Sequence, residues 1–299
     1  MWQGAQTIFL SIVLESLPFI LLGVLLSSLI QELVSQDAML RLMPNNRVLA
    51  VVVAGLLGLV LPVCDCGTIP VARSLMRKGV SVSAAMAFTL AAPVVNPLTM
   101  TATYVAFGMN PAMMWARVAA TFGISVVVGW FLLSIEAKAG RRAIAAKYEL
   151  PVLELAATAA APPPRRSARS VFSAVIGHAI IEFFEVGVFV ILSAAVAALL
   201  QTFLPASVVT SIGHHPVWSV LAMMGLAILL SLCSEADAFV ARSLAGLTTN
   251  GGVLGFLVIG QMIDLRNMFL LPRVFPRWAV KLAFCLVIVL TLGLGIWIN

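Results

Sequence analysis

Two thiols one residue apart carry the most pointed chemistry in this chain. Cys64 and Cys66 flank Asp65 within Leu61-Pro62-Val63-Cys64-Asp65-Cys66-Gly67-Thr68-Ile69-Pro70. Thiolates select soft, polarisable centres such as Cu(I), and trivalent arsenic belongs chemically with these. At this spacing both sulfurs can reach one ion. A second cluster, Cys233-Ser234-Glu235-Ala236-Asp237, adds a third thiol and two carboxylates. Three sulfurs brought together would suit a trigonal As(III) or Sb(III) centre. The plainer use of a buried cysteine is as a small apolar packing residue, and Cys285, without polar company in the last apolar segment, is read that way.

Seven of the twelve acids lie in or beside apolar segments: Glu15, Asp65, Glu182, Glu185, Glu235, Asp237 and Asp264. An ionised acid at the centre of a bilayer costs about 2.5–3.5 kcal/mol even on insertion scales, so each should face the bundle interior, a partner or water. Burial can also keep a carboxyl protonated, which makes Glu15, Glu185 and Asp264 natural carriers of a coupling proton. Ion pairing with Arg73 and Arg242 is the structural alternative. His178, Glu182 and Glu185 fall on one helical face. They read as a proton relay, a hard-cation site or simply hydrogen-bonded helix residues.

Broken backbone must position these groups. Pro62, Gly67 and Pro70 interrupt one apolar segment, and Pro93 and Pro97 interrupt the next within Ala91-Ala92-Pro93-Val94-Val95-Asn96-Pro97. Proline removes a helical hydrogen bond, and the freed backbone is tolerated at membrane depth only against protein or a water-filled cavity. The later stretch Ile259-Gly260-Gln261-Met262-Ile263-Asp264 lacks the prolines but keeps polar groups at equivalent positions. Asn96 and Asp264 would line a pathway or cap half-helices.

The composition sets all of this in lipid. Of 299 residues, 62% are hydrophobic and 10% charged, with a mean hydropathy of +1.09. A soluble domain has roughly 45–50% apolar and about 25% charged residues. About 20 apolar residues make a span, and eight segments qualify or nearly do, roughly 7–31, 48–63, 80–107, 112–134, 171–200, 216–233, 252–271 and 278–298. The fold expected is all-α: a polytopic helical membrane protein of about eight transmembrane helices. Its parts are a first transmembrane repeat (1–135), a basic Ala/Pro-rich linker (136–170) and a second repeat (171–299).

Duplication rests on Val71-Ala72-Arg73-Ser74-Leu75, which recurs as Val240-Ala241-Arg242-Ser243-Leu244, with Cys64 and Cys233 each seven residues upstream. Asn96 matches Asp264, Glu15 matches Glu185, and Glu235 occupies the place of Cys66. Paired interruptions in two related halves are the best sequence pointer to a transporter's binding site. An even number of spans per half gives parallel repeats and an odd number inverts them; re-entrant segments at 67–79 and 236–249 leave the count open.

Seven of the 18 basic residues lie between Glu136 and Ser170, which places the linker in the cytoplasm and fits anionic headgroups better than DNA. With eight spans both termini would be cytoplasmic too, but Arg273, Arg277 and Lys281 would then fall on the wrong side. Four cysteines are too few for a disulfide framework, no cofactor motif appears, and the N-terminus lacks the pattern of a cleaved signal.

The run Pro62 to Ala72, followed by Lys78-Gly79 and Ala92-Pro93-Val94-Val95-Asn96-Pro97, resembles the ArsP/YraQ-like predicted permease family, as do Cys233 to Phe239 and Met262-Ile263-Asp264-Leu265-Arg266-Asn267. The resemblance implies a bacterial inner-membrane permease. One branch of the family exports trivalent organoarsenicals and uses its cysteines in handling them. On that basis Cys64, Cys66 and Cys233 match the family's cysteines, while Asp65 stands where the family commonly has Ser.

The function expected is therefore a permease exporting a soft metalloid or organometalloid, with proton coupling. Its partners would be the bilayer and that substrate, with no nucleic acid. Another small solute or cation, and a non-transporting thiol-redox scaffold, are the competing readings.

Overall fold

The computed structural model describes residues 46–60, 65–139 and 216–299, with Pro44 and scattered helical positions within 6–29 and 175–195. Among the described residues there are helices and turns but no strand. Helix α1 (Arg47–Leu56) runs on into a 3-10 turn at Leu57–Leu59, followed by α2 (Asp65–Arg77), α3 (Val82–Ala91), α4 (Pro97–Ala106) and α5 (Pro111–Ala139). The later part comprises α6 (Pro216–Leu230), α7 (Ala236–Leu244), α8 (Asn250–Met262), α9 (Leu265–Val274) and α10 (Arg277–Ile298).

Among the described residues, Pro111–Ala137, Asn250–Val274 and Arg277–Ile298 are long and apolar enough to cross a bilayer. The shortest, at 22 residues, covers about 33 Å against a hydrocarbon core of about 30 Å. Asn250–Val274 is interrupted at Asp264, and three further expected spans are broken among the described residues. Segment 80–107 is two helices, because Pro93 and Pro97 end α3 and start α4. Segments 48–63 and 216–233 yield only short apolar helices, α1 with its 3-10 turn and α6, after which the chain resumes as α2 and α7.

Polarity is distributed as a bilayer requires. Trp115, Trp130 and Phe131 on α5 and Val289 and Trp297 on α10 are exposed, while Asn96, Arg117, Asp237, Gln261, Asp264 and Arg266 are buried. In water that apolar exterior would be an aggregation surface; in lipid it is the solvated face. Two helices form the centre. Every residue from Ser83 to Asn96, covering α3, and from Gly251 to Asp264, covering α8, is buried. Helices apolar on all sides belong inside, and α3 packs against α1, α2 and α5 as α8 packs against α6, α7 and α10.

Contacts at helix ends sort the elements onto two faces. The Glu136 carboxylate, near the end of α5, accepts from the Ser83 amide at 3.2 Å and its hydroxyl at 3.0 Å. Trp130 Nε1 donates to the Val48 carbonyl at 3.1 Å. The starts of α1 and α3 and the end of α5 therefore share one face. On the opposite face the end of α4 leads into the start of α5. There the Arg242 guanidinium, in the last turn of α7, lies 5.8 Å from the centre of the Phe107 ring. The start of α6 and the end of α10 join this second face: Ser219 bonds Thr248 and Thr249, and Asn299 bonds the Gly251 amide and the Pro216 carbonyl. The end of α10 thus lies opposite the end of α5, unlike the shared cytoplasmic termini expected from eight spans, because α1 and α6 do not cross.

The parts join where α10 and α8 pack on α5, α7 on α4 and α9 on α2. A further close approach lies within the later part: a Cβ on Gly251 would run into the carbonyl of Gly295. Replacing Gly251 with Leu should therefore destabilise the protein by about 1–3 kcal/mol. Gly293→Leu, where a Cβ meets nothing within 4 Å, should leave the unfolding temperature in detergent unchanged.

Candidate functional site

The two breaks beside the central helices are built alike. At the first, Asn96 caps α4: its Oδ1 accepts the Thr99 amide at 2.9 Å, and its Nδ2 donates to the Pro93 carbonyl at 3.0 Å. Pro97 follows as the first helical residue, where its missing N–H costs nothing. At the second, Asp264 caps α9 by accepting the Asn267 amide at 2.6 Å. No proline is needed there, because the carboxylate is a strong cap and also pairs with Arg266 Nε at 2.9 Å. Both residues therefore do the capping that their spacing allowed.

The turn between α6 and α7 meets both breaks. Ser231 takes the left-handed conformation, φ 46°, which ends α6 at a cost most non-glycine residues avoid. Its hydroxyl accepts the Leu265 amide at 3.0 Å, and Arg266 Nη2 donates to the Leu232 carbonyl at 2.9 Å. On its other side, Glu235 Oε1 accepts from the Thr99 hydroxyl at 3.4 Å.

Below this turn lies a buried ion pair. Arg117 of α5 presents Nη2 to both carboxylate oxygens of Asp237, at 2.9 and 2.8 Å. Its Nη1 donates to Thr103 Oγ1 at 2.7 Å and to the Ser234 carbonyl at 3.3 Å. Gln261 Nε2, from α8, donates to Asp237 Oδ2 at 2.6 Å. Four elements thus converge on one guanidinium–carboxylate pair whose side chains are 1% and 2% exposed. A lone charge there would be costly; a bidentate pair with added hydrogen bonds is tolerable.

The structure brings Asn96, Glu235 and Asp237 together and places Asp264 on the far side of the same turn. Arg242, expected as an ion-pair partner, stacks instead over Phe107 near the second face; Arg73 lies half-buried within α2. Asp65 and Cys66 open α2, so Gly67 and Pro70, expected in the break, fall inside a helix that has already resumed. Pro70 there removes the hydrogen bond back to residue 66 and crowds that carbonyl. Cys233 is half-buried, its Sγ accepting the Ala236 amide at 3.5 Å, and Cys285 is exposed on α10. Glu15, Pro62, Cys64, Glu182 and Glu185 lie outside the described residues. Among the described residues no His, Cys, Asp and Glu cluster is arranged to hold a metal ion.

Arg117, Thr99, Thr103 and Ser234 escaped the sequence. The signal for Arg117 was present: one arginine inside the fourth apolar segment carries the same burial cost as the acids that drew attention. The threonines were legible only as a pair four residues apart on one helical face.

A sequence model described as a predicted permease, ArsP_1, matches residues 1–299. The chain belongs to this predicted permease family. The permease is 37% identical over 288 residues to the UPF0718 protein YcgR of Bacillus subtilis (strain 168), covering 96% of this chain and 94% of that one. It is 33% identical over 275 residues to a putative two-component membrane permease complex subunit of Streptococcus mutans, covering 90% and 86%. Similarity to the UPF0718 protein YraQ of Escherichia coli (strain K12) is 35% over 99 residues, 33% of the permease and 29% of YraQ. No solved structure matches the permease.

The two caps differ in what their loss should cost. Asn96→Ala removes a cap, about 0.5–2 kcal/mol. Asp264→Ala also removes the carboxylate paired with the buried Arg266 and should cost about 3–5 kcal/mol. Thermal unfolding of the two variants in the same detergent should show the larger drop for Asp264→Ala.

Proposed function

We propose that this permease exports a small soft metalloid or organometalloid, such as a trivalent organoarsenical, across the bacterial inner membrane by proton-coupled alternating access. The observation that carries the proposal is the meeting of the two interrupted regions. The Cys233–Asp237 turn packs between the Asn96 break and the Asp264 break, and α2 begins at Asp65 and Cys66. Paired breaks near the middle of a membrane protein are where transporters bind their cargo.

The reciprocal seams favour duplicated halves of opposite orientation. In each half a short helix (α2, α7) packs on the second piece of the other half's broken helix (α9, α4). The charges agree. Arg47, Arg77, Lys78, Lys138, Arg273, Arg277 and Lys281 fall on the face where α5 ends, beside the basic linker 136–170. The positive-inside rule makes that face cytoplasmic and removes the conflict that Arg273, Arg277 and Lys281 posed for eight spans. The name of the Streptococcus mutans relative adds a second protein subunit to the partners proposed, beside the bilayer and the substrate.

Replacing both Cys64 and Cys66 with Ser should abolish the resistance to methylarsenite that the permease gives a sensitive bacterial host. Unchanged resistance at equal expression would take the thiols out of the mechanism. A second reading draws on the oxygen- and nitrogen-rich surroundings of Asp237, which suit a harder polar solute or cation. Flux indifferent to thiol blockers but lost in Asp264→Asn would favour it.

A further inference from the structure

The Arg117–Asp237 pair differs in kind from the other ion pair described at the breaks. Asp264 and Arg266 are two residues apart and move together. Arg117 and Asp237 are 120 positions apart, one on the long helix α5 and the other on the first turn of α7. Nothing local keeps them together, so any movement of α7 relative to α4 and α5 must break or carry this pair. Resting on the permease reading, we propose that the Arg117–Asp237 pair is the latch that holds the α6–α7 turn closed against α4 and α5, and that it parts when the face opposite the end of α5 opens.

Three observations favour a parting contact over a permanent brace. The guanidinium is the hub of the seam, bonded at once to Thr103 on α4, to the Ser234 carbonyl in the turn and to Asp237 on α7. Its release therefore removes three contacts of the turn and α7 at once, while Ser231 and Leu232 keep the turn tied to α9. Around it, among the described residues, Arg117 Nε, Thr121 Oγ1, Ser234 Oγ and Gln261 Oε1 are buried and meet no hydrogen-bonding group. Each such group costs about 1–3 kcal/mol in a dry interior, a cost that water entering an opened seam would remove. A brace meant to stay shut would be expected to satisfy them. Finally, the rest of the α4–α7 seam is lightly held: the Thr99–Glu235 hydrogen bond is 3.4 Å long, and Arg242 over Phe107 at 5.8 Å is a cation–π contact that gives way without stranding a buried charge.

The arrangement is also one-sided. At the 168-residue offset that aligns Asn96 with Asp264, Arg117 aligns with Cys285; at the 169-residue offset of the Val71–Leu75 repeat, Asp237 aligns with Thr68. The aligned positions 285 and 68 therefore carry no charge pair of this kind.

Cys233 is a built-in reporter, half-buried and next to Ser234. Full-length permease in right-side-out and inverted membrane vesicles would be treated with a membrane-impermeant maleimide and Cys233 labelling read by peptide mass spectrometry. Arg117→Gln and Asp237→Asn should each raise the labelling rate about tenfold or more from the face opposite the end of α5, as the open fraction grows. The exchange Arg117→Asp with Asp237→Arg should return it toward wild type. Arg117→Lys, which keeps the charge but loses the second nitrogen that bonds Thr103 and the Ser234 carbonyl, should fall between and guards against misfolding of the neutral variants. Equal labelling in wild type, Arg117→Lys and Asp237→Asn, with thermal transitions intact, would overturn the latch, as would a rise equal from both faces. The readout is independent of cargo. Unchanged labelling with altered flux sinks the latch and spares the permease reading; raised labelling without flux of any metalloid does the reverse.

Discussion

A guanidinium cannot shed its charge, so an arginine deep in an apolar segment dictates what surrounds it. Arg117 commits α5, α4, α7 and the turn before α7 to one arrangement, because the carboxylate of Asp237, the Thr103 hydroxyl and the Ser234 carbonyl must all come to it. Gln261 extends the commitment to α8, one of the two central helices. The rest of the fold follows from the need to bring these partners to membrane depth. Helices that end midway supply them from their turns and first turns, where backbone and short side chains are free to bond something other than their own helix.

Those midway endings have a common chemistry. Asn96 and Asp264 each satisfy the amide three residues on, and Ser231 adopts a left-handed backbone to stop α6 and then accepts the Leu265 amide. The later break achieves without proline what the earlier one does with Pro93 and Pro97. A carboxylate cap with an arginine partner is strong enough to hold a helix start, whereas a neutral amide is helped by a residue already set for the first turn.

The all-helical character, the membrane setting and the interruption at Pro93–Pro97 were legible in the sequence because they depend on local composition and proline geometry. Asn96 and Asp264 were marked by their positions in the breaks, and Glu235 and Asp237 by the cost of burying acid. What could not be read is who pairs with whom. Arg242 lies close along the chain to the acids it was matched with, yet it stacks over Phe107 and Asp237 is bonded to an arginine 120 positions away, a choice made by the packing of α5 against the turn. Spans 48–63 and 216–233 looked long enough because hydropathy does not register a helix that stops and turns back. Gly67 and Pro70 were read as part of the break because a proline's effect on sequence pattern is the same whether the helix ends at it or has just begun.

The contact between α8 and α10 has a mechanical meaning of its own. At Gly251 and Gly295 main chain rests on main chain, and Asn299 ties the start of α8 to the end of α10. Interlocked backbones have no side-chain slack with which to slide or change register. Sliding of one of these helices along the other would have to drag main chain past main chain.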